Sequence, residues 1–224
     1  MVGYYNYTVW LTYFSLICGS TGIAMCFVFP ERPIFAVVCL LLSGFCDLFD
    51  GKIARTKKYR TDSEKAYGIQ IDSLTDLVCF GVLPSVIMIS MGMNELEGKK
   101  VLWFLPLALM FILFGMIRLA YFNVKEAKRQ VTEEALTNSF FYGVPITMSS
   151  LVMPIVFCIA RFLVSKELIS SLVAFIIYCV FLFILGLAFV IKIKVVKPKK
   201  KGAIIMVSIG AAVILALLLL EIFC

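Results

Sequence analysis

The chain has no histidine. A Ser-His-Asp triad, a zinc site built on imidazole and a histidine general base are therefore excluded. Any proton transfer must use a carboxylate, lysine, tyrosine, cysteine or water. Charge is scarce as well: charged residues make up 16% of the chain and hydrophobic residues 62%, with a mean hydropathy of +1.02. No polar stretch is long enough to fold by itself, so no soluble domain is expected, and the composition is that of a membrane protein. A basic groove studded with aromatics is missing too. The net charge of +7 therefore speaks to topology and anionic lipid, and nucleic acid is not an expected partner. The eight cysteines include no C-x-x-C pair and are scattered through apolar runs, which reads as small packing residues with reduced thiols. Met1 to Thr8 carries no cation, so the first apolar run is expected to be a retained span rather than a cleaved signal.

Apolar runs dominate the chain. They predict spans over about Val9 to Phe29, Ile34 to Ile53, Ile69 to Met93, Val101 to Tyr121, Phe140 to Ala160, Leu168 to Ile193 and Ala203 to Phe223. Each is near the ~20 residues that a bilayer requires. Gly143 and Pro145 break the start of the fifth. The polar segment Asn123 to Asn138 carries a pattern that predicts a surface helix. The expected fold is an all-α polytopic transmembrane bundle of about seven spans with a six-helix catalytic core, forming a single domain over 1–224.

Against this background one stretch stands out, D-L-F-D-G-K-I-A-R, a polar spacer, then G-I-Q-I-D-S-L-T-D. Asp47 and Asp50 are three apart at the end of one apolar run; Asp72 and Asp76 are four apart at the start of the next. On a helix either spacing puts both side chains on one face. Two antiparallel helices would aim all four carboxylates at one spot. That is costly beside a membrane unless a cation offsets the charge. An all-oxygen site suits Mg²⁺, Mn²⁺ or Ca²⁺, with Asp47, Asp50 and Asp72 as ligands. Gly51 and Gly68 leave backbone open to a bulky ligand. Arg55, one turn beyond Gly51, offers a planar fork for phosphate. A phosphorylated, nucleotide-bearing substrate fits that set.

At these residues the chain resembles the CDP-alcohol phosphotransferases, which carry D-x-x-D-G-x-x-A-R, a spacer and G-x-x-x-D-x-x-x-D. The matched positions are Asp47, Asp50, Gly51, Ala54, Arg55, Gly68, Asp72 and Asp76. The spacer here is longer than the family's usual one, and its extra residues fall in K-K-Y-R-T-D-S-E-K. In the first span Leu11, Thr12 and Gly19 match, whereas Ser15 stands where asparagine is common. The resemblance implies transfer of a phosphoalcohol from a CDP-linked donor to an alcohol with release of CMP. It implies one or two Mg²⁺ or Mn²⁺ ions and Asp76 as the general base that takes the acceptor's proton, with a share in a metal also open to Asp76. The CDP group would meet Asp47, Gly51, Ala54, Arg55, Gly68 and Asp72. A homodimer is implied as well.

Downstream, D-S-L-T-D-L-V-C-F-G-V-L-P, the run from Arg118 to Asn123 and the G-x-P at Gly143 to Pro145 resemble the membrane-type phosphatidylserine synthases within that family. The donor so implied is CDP-diacylglycerol, its chains kept among membrane lipids, and the acceptor is L-serine. Arg118 would fork the serine carboxylate and Asn123 would orient it; Tyr121 stands where the family has a second arginine. Inositol phosphate or glycerol-3-phosphate is the alternative acceptor.

Positive charge sets the expected orientation. Lys52, Arg55, Lys57, Lys58, Arg60, Lys65, Arg118, Lys125, Lys128, Arg129 and the basic run from Lys192 to Lys201 fall on the side of the aspartates. Arg32, Lys99, Lys100, Arg161 and Lys166 fall on the other. The positive-inside rule then places the site at the cytoplasmic face of the cell's inner membrane. Intramembrane carboxylates also build cation transporters, but here the aspartates gather at one end of the spans, and Gly51, Ala54 and Arg55 have no clear purpose in transport.

Overall fold

The structure, a computed structural model, describes residues 3–54, 56–57, 59, 61–96, 98–131, 140–192, 194–196 and 200–223. Helix α1 is Trp10–Val28, preceded by a short 3₁₀ turn, and α2 is Ile34–Ala54. Then come α3, Asp62–Asp76, a π-helical turn over Leu77–Val82, and α4, Leu83–Glu95. Helix α5 is Leu105–Val131, α6 Ser149–Ser165, α7 Ser171–Val190 and α8 Lys200–Phe223. Two three-residue strands, β1 (Phe140–Tyr142) and β2 (Lys194–Val196), pair antiparallel.

Among the described residues, six helical stretches are long and apolar enough to cross a membrane, so the chain is a polytopic helical membrane bundle. The seventh expected span coincides with α8, of which Ser208–Leu217 is apolar among the described residues. Helix α8 packs on α6 and α2.

The centre of the bundle is the α3–α4 rod, Asp62–Glu95, 34 residues of continuous helix. Phe80, Leu83, Ile87 and Met88 on this rod are wholly buried against Phe111 of α5, Met153 and Phe157 of α6 and Phe175, Tyr178 and Leu182 of α7. In lipid, close packing and interhelical hydrogen bonds replace the hydrophobic effect as the glue. Small residues make that approach possible. A Cβ on Gly19 would collide with Cys79, and one on Gly22 would sit 2.9 Å from Cys39 and 3.1 Å from Leu83. Ser43 Oγ donates to the Ser15 carbonyl at 2.7 Å and Ser15 Oγ to the Ser43 carbonyl at 3.2 Å. Each such bond between membrane helices contributes about 0.6 kcal/mol, and together they fix the register of α1 on α2.

Three expected boundaries move. The third span begins at Asp62 rather than Ile69, because Thr61 and Glu64 form a reciprocal capping box that starts α3 inside the charged segment. The expected surface helix after Asn123 is continuous with α5 as far as Val131. The fifth helix starts at Ser149, not Phe140. Gly143 there has φ +79°, a left-handed conformation that side chains resist, and a Cβ would lie 3.1 Å from the Phe189 carbonyl. Pro145 follows in extended geometry, so the chain turns before it can coil.

Candidate active site

The site sits where the last turns of α2 face the second half of α3. Asp47 and Asp50 project from α2, Asp72 and Asp76 from α3. Asp47, Asp50 and Asp72 each present a carboxylate oxygen within 4.8 Å of the others. Asp76 lies against Asp47. Asp50 and Asp76 are each only 8% exposed, so little water screens their mutual repulsion. Among the described residues no lysine or arginine is paired with these four aspartates. Oxygens bound to one divalent ion at about 2.0–2.6 Å lie within about 4 to 5 Å of one another. The three-carboxylate set therefore fits a hard divalent cation, with its donor chemistry and spacing both matched.

Thr12 of α1 supports the cluster from behind. Its buried hydroxyl donates to Asp50 Oδ2 at 3.3 Å. Thr12 falls in a motif match in the sequence, but nothing there pairs it with a residue 38 positions away.

Gly51 lies in the last turn of α2 and is exposed; Gly68 is half-buried on α3. Both flank the carboxylates on the loop side. The backbone of Ala54 closes α2, and Arg55 lies outside the described residues. Asn123 is joined to α3 directly: its Nδ2 lies 2.9 Å from Ser73 Oγ, and Ser73 Oγ lies 3.1 Å from its Oδ1. Ser73 follows Asp72 in the chain but points to a different face of α3, so the bond ties Asn123 to the helix that carries Asp72 and Asp76. Arg118 has a different setting. It is 7% exposed, its Nε donates to the Val144 carbonyl at 3.1 Å and its Nη2 to the Gly143 carbonyl at 3.4 Å. Its guanidinium secures the turn before α6, and the ring of Phe122 lies 5.7 Å from it.

A second space opens beside the cluster. An apolar cavity of about 240 Å³ runs between α2, α6 and α8, with Leu41, Phe45, Leu151, Ile214 and the acidic Asp47 among the described residues in its wall. A polar centre at the mouth of an apolar slot suits an amphiphile better than a free ion.

The CDP-alcohol phosphatidyltransferase family pattern matches residues 5–177, and the chain belongs to that family. The match ends within α7 and omits α8. Among curated proteins, the chain is 32% identical over 126 residues to a CDP-diacylglycerol–serine O-phosphatidyltransferase of Saccharomyces cerevisiae, covering 55% of this chain and 42% of that protein. It is 30% identical over 146 residues to the protein of that name in Bacillus subtilis, covering 65% and 71%. With the Helicobacter pylori protein of that name it shares 34% over 128 residues, covering 56% and 46%. The chain thus matches less than half the length of the yeast and Helicobacter relatives, and over two thirds of the Bacillus one.

Proposed function

We propose that this protein transfers a phosphatidyl group from CDP-diacylglycerol to the hydroxyl of L-serine, releasing CMP and forming phosphatidylserine. The observation that carries this reading is the convergence of Asp47, Asp50 and Asp72 with Asp76 beside them, in a chain of this family whose relatives carry that activity in their names. Asp47, Asp50 and Asp72, with Asp76 sharing, would hold Mg²⁺ or Mn²⁺, which supplies charge neutralisation for a diphosphate. Gly51 and Gly68 leave room for the nucleotide, and family resemblance assigns Ala54 and Arg55 to the same group. The donor's acyl chains lie along the apolar slot between α2, α6 and α8.

The chemistry is a substitution at phosphorus. The serine oxygen forms a bond to the donor's lipid-side phosphorus while the diphosphate P–O bond breaks and CMP departs. Asp76, held dry against Asp47, takes the serine hydroxyl proton on a carboxylate oxygen. Asn123, anchored on Ser73, orients the amino acid. Arg118 serves the serine carboxylate from beside the Gly143 turn, a role that must coexist with its two backbone carbonyl partners. The distribution of Lys and Arg supports a cytoplasm-facing site in the cell's inner membrane, and family resemblance supports a homodimer.

The test is CMP release from CDP-diacylglycerol by purified protein against serine, inositol, glycerol-3-phosphate, choline and ethanolamine. Serine should be the productive acceptor, and chelation with EDTA should stop turnover until Mg²⁺ or Mn²⁺ is returned. Turnover with inositol or glycerol-3-phosphate but not serine overturns the acceptor, and full activity after exhaustive chelation overturns the metal requirement.

A further inference from the structure

The long spacer after Arg55 has no part in the chemistry above, yet Thr56, Lys57, Thr61 and Glu64 in it are tied down. Thr61 Oγ1 accepts from the Glu64 N–H at 3.2 Å, and Glu64 Oε2 accepts from the Thr61 N–H at 3.1 Å. The other carboxylate oxygen, Oε1, accepts from Lys57 Nζ at 2.9 Å and from Asn6 Nδ2 at 2.7 Å. One carboxylate therefore joins three pieces of chain: the segment before α1, the loop after α2 and the first turn of α3. Its side chain is 16% exposed and that of Lys57 26%, so the pair is better shielded than an ordinary surface ion pair.

Neighbouring contacts tighten the same knot. The hydroxyls of Tyr7 and Thr56 are 3.1 Å apart. Thr56, the residue after Arg55, also bonds the Ile53 carbonyl through both its N–H at 3.0 Å and its Oγ1 at 2.7 Å. Tyr4 stacks edge-on against Tyr67 of α3, and Tyr67 meets Tyr13 of α1 hydroxyl to hydroxyl at 3.2 Å. These contacts surround the end of the site at which Gly51 and Gly68 sit.

We propose that Glu64 is a positioning residue: it clasps the segment before α1 and the chain at Thr56 and Lys57 onto α3, and so sets the nucleotide end of the donor site. This rests on the phosphatidyl transfer proposed above. Thr56 and Lys57 directly follow Arg55 in the sequence, so freeing Oε1 of its partners loosens the chain next to that residue while the carboxylates on α2 and α3 stay in place. Donor recognition should suffer and the chemical step should not.

The experiment uses the full-length protein in lipid nanodiscs, with CDP-diacylglycerol varied at saturating metal and acceptor. Glu64→Ala should raise the donor KM roughly tenfold, leaving kcat and the acceptor KM within about twofold, since small misplacements of positioning groups are costly. Glu64→Gln, which keeps one acceptor oxygen, should fall between Glu64→Ala and the wild type. Should Glu64→Ala fail to fold, Asn6→Ala and Lys57→Met each remove one partner and should each raise the donor KM by about two- to fivefold. Tyr59→Ala, at a side chain 90% exposed, is the control that should change nothing. A donor KM unchanged in every Glu64, Asn6 and Lys57 variant, or a fall in kcat alone, overturns the proposal. Tryptic cleavage after Lys57 reads the clasp without any turnover and should be about tenfold faster in Glu64→Ala. Wild-type turnover with an acceptor other than serine refutes the serine reading and leaves the clasp standing. If the wild type never consumes CDP-diacylglycerol, the transfer reading falls, and equal tryptic rates in wild type and Glu64→Ala then overturn the clasp as well.

Discussion

Thr12→Val is the sharpest probe of how the carboxylate cluster is held. Valine has nearly the shape of threonine, and Thr12 is 4% exposed, so the packing of α1 on α2 survives the change. What disappears is the hydroxyl donor to Asp50 Oδ2. At 3.3 Å that bond is long, which places it at the low end of the about 1.5–3 kcal/mol typical of hydrogen bonds to charged groups. A loss of about 1.4 kcal/mol is a tenfold change in an equilibrium constant. Removing the partner that orients a metal-binding carboxylate lowers metal affinity by about 10- to 100-fold, so the two routes agree at the lower figure. The assay is CMP release titrated with Mg²⁺ and, separately, Mn²⁺ at saturating substrates. The half-activating concentration should rise about tenfold for both ions, and kcat should recover at high metal. An unchanged half-activating concentration would refute the claim that Thr12 orients a ligand. A kcat loss that no amount of metal restores would show that the hydroxyl serves another purpose.

Asp76→Asn should reduce turnover by about 10²- to 10⁴-fold, the usual contribution of a general base, while CDP-diacylglycerol binding by equilibrium dialysis persists; substantial residual turnover removes Asp76 from that role. Gly19→Ala should destabilise the bundle by about 1–3 kcal/mol through overpacking against Cys79, read as a lower melting temperature in detergent, and Gly19→Ala combined with Cys79→Gly should recover most of it. Arg118→Lys keeps the charge but loses the fork that reaches both Gly143 and Val144, so the serine KM should rise about tenfold with the donor KM unaltered; unchanged serine kinetics would leave Arg118 as a fastener of the turn alone.

Much of the site was legible because its residues announce themselves by spacing. Asp47 with Asp50, and Asp72 with Asp76, share helix faces at intervals of three and four, and the structure brings three of these carboxylates within 4.8 Å. The capping box at Thr61 and Glu64 has a signature of its own, T-D-S-E, but the expected span began at Ile69 because the charge around the box reads as loop. Gly143 and Pro145 signalled a break, yet not that the helix would wait until Ser149. Other features had no local signature. Nothing in L-V-C-F-G-V marks a π turn, which is a compromise between helical continuity and two packing faces. The Thr12 to Asp50 bond and the Arg118 contacts to Gly143 and Val144 join residues far apart in sequence. They depend on how helices settle against one another, which no single stretch encodes.

The α3–α4 rod also acts as a depth gauge. At about 1.5 Å per residue, its 34 residues extend roughly 50 Å, well beyond the ~30 Å of a hydrocarbon slab. The apolar α4 half anchors in the slab, and the π turn marks where packing gives way to chemistry. Asp72 and Asp76 are therefore carried at a fixed height set by the anchored half. A lipid substrate presents its phosphate at a height set by the bilayer instead. Matching the two makes bilayer thickness a parameter of the reaction. Host lipids with shorter or longer chains would tilt the rod or stretch the membrane around it, and catalytic rate would pass through an optimum in chain length even with the donor held constant.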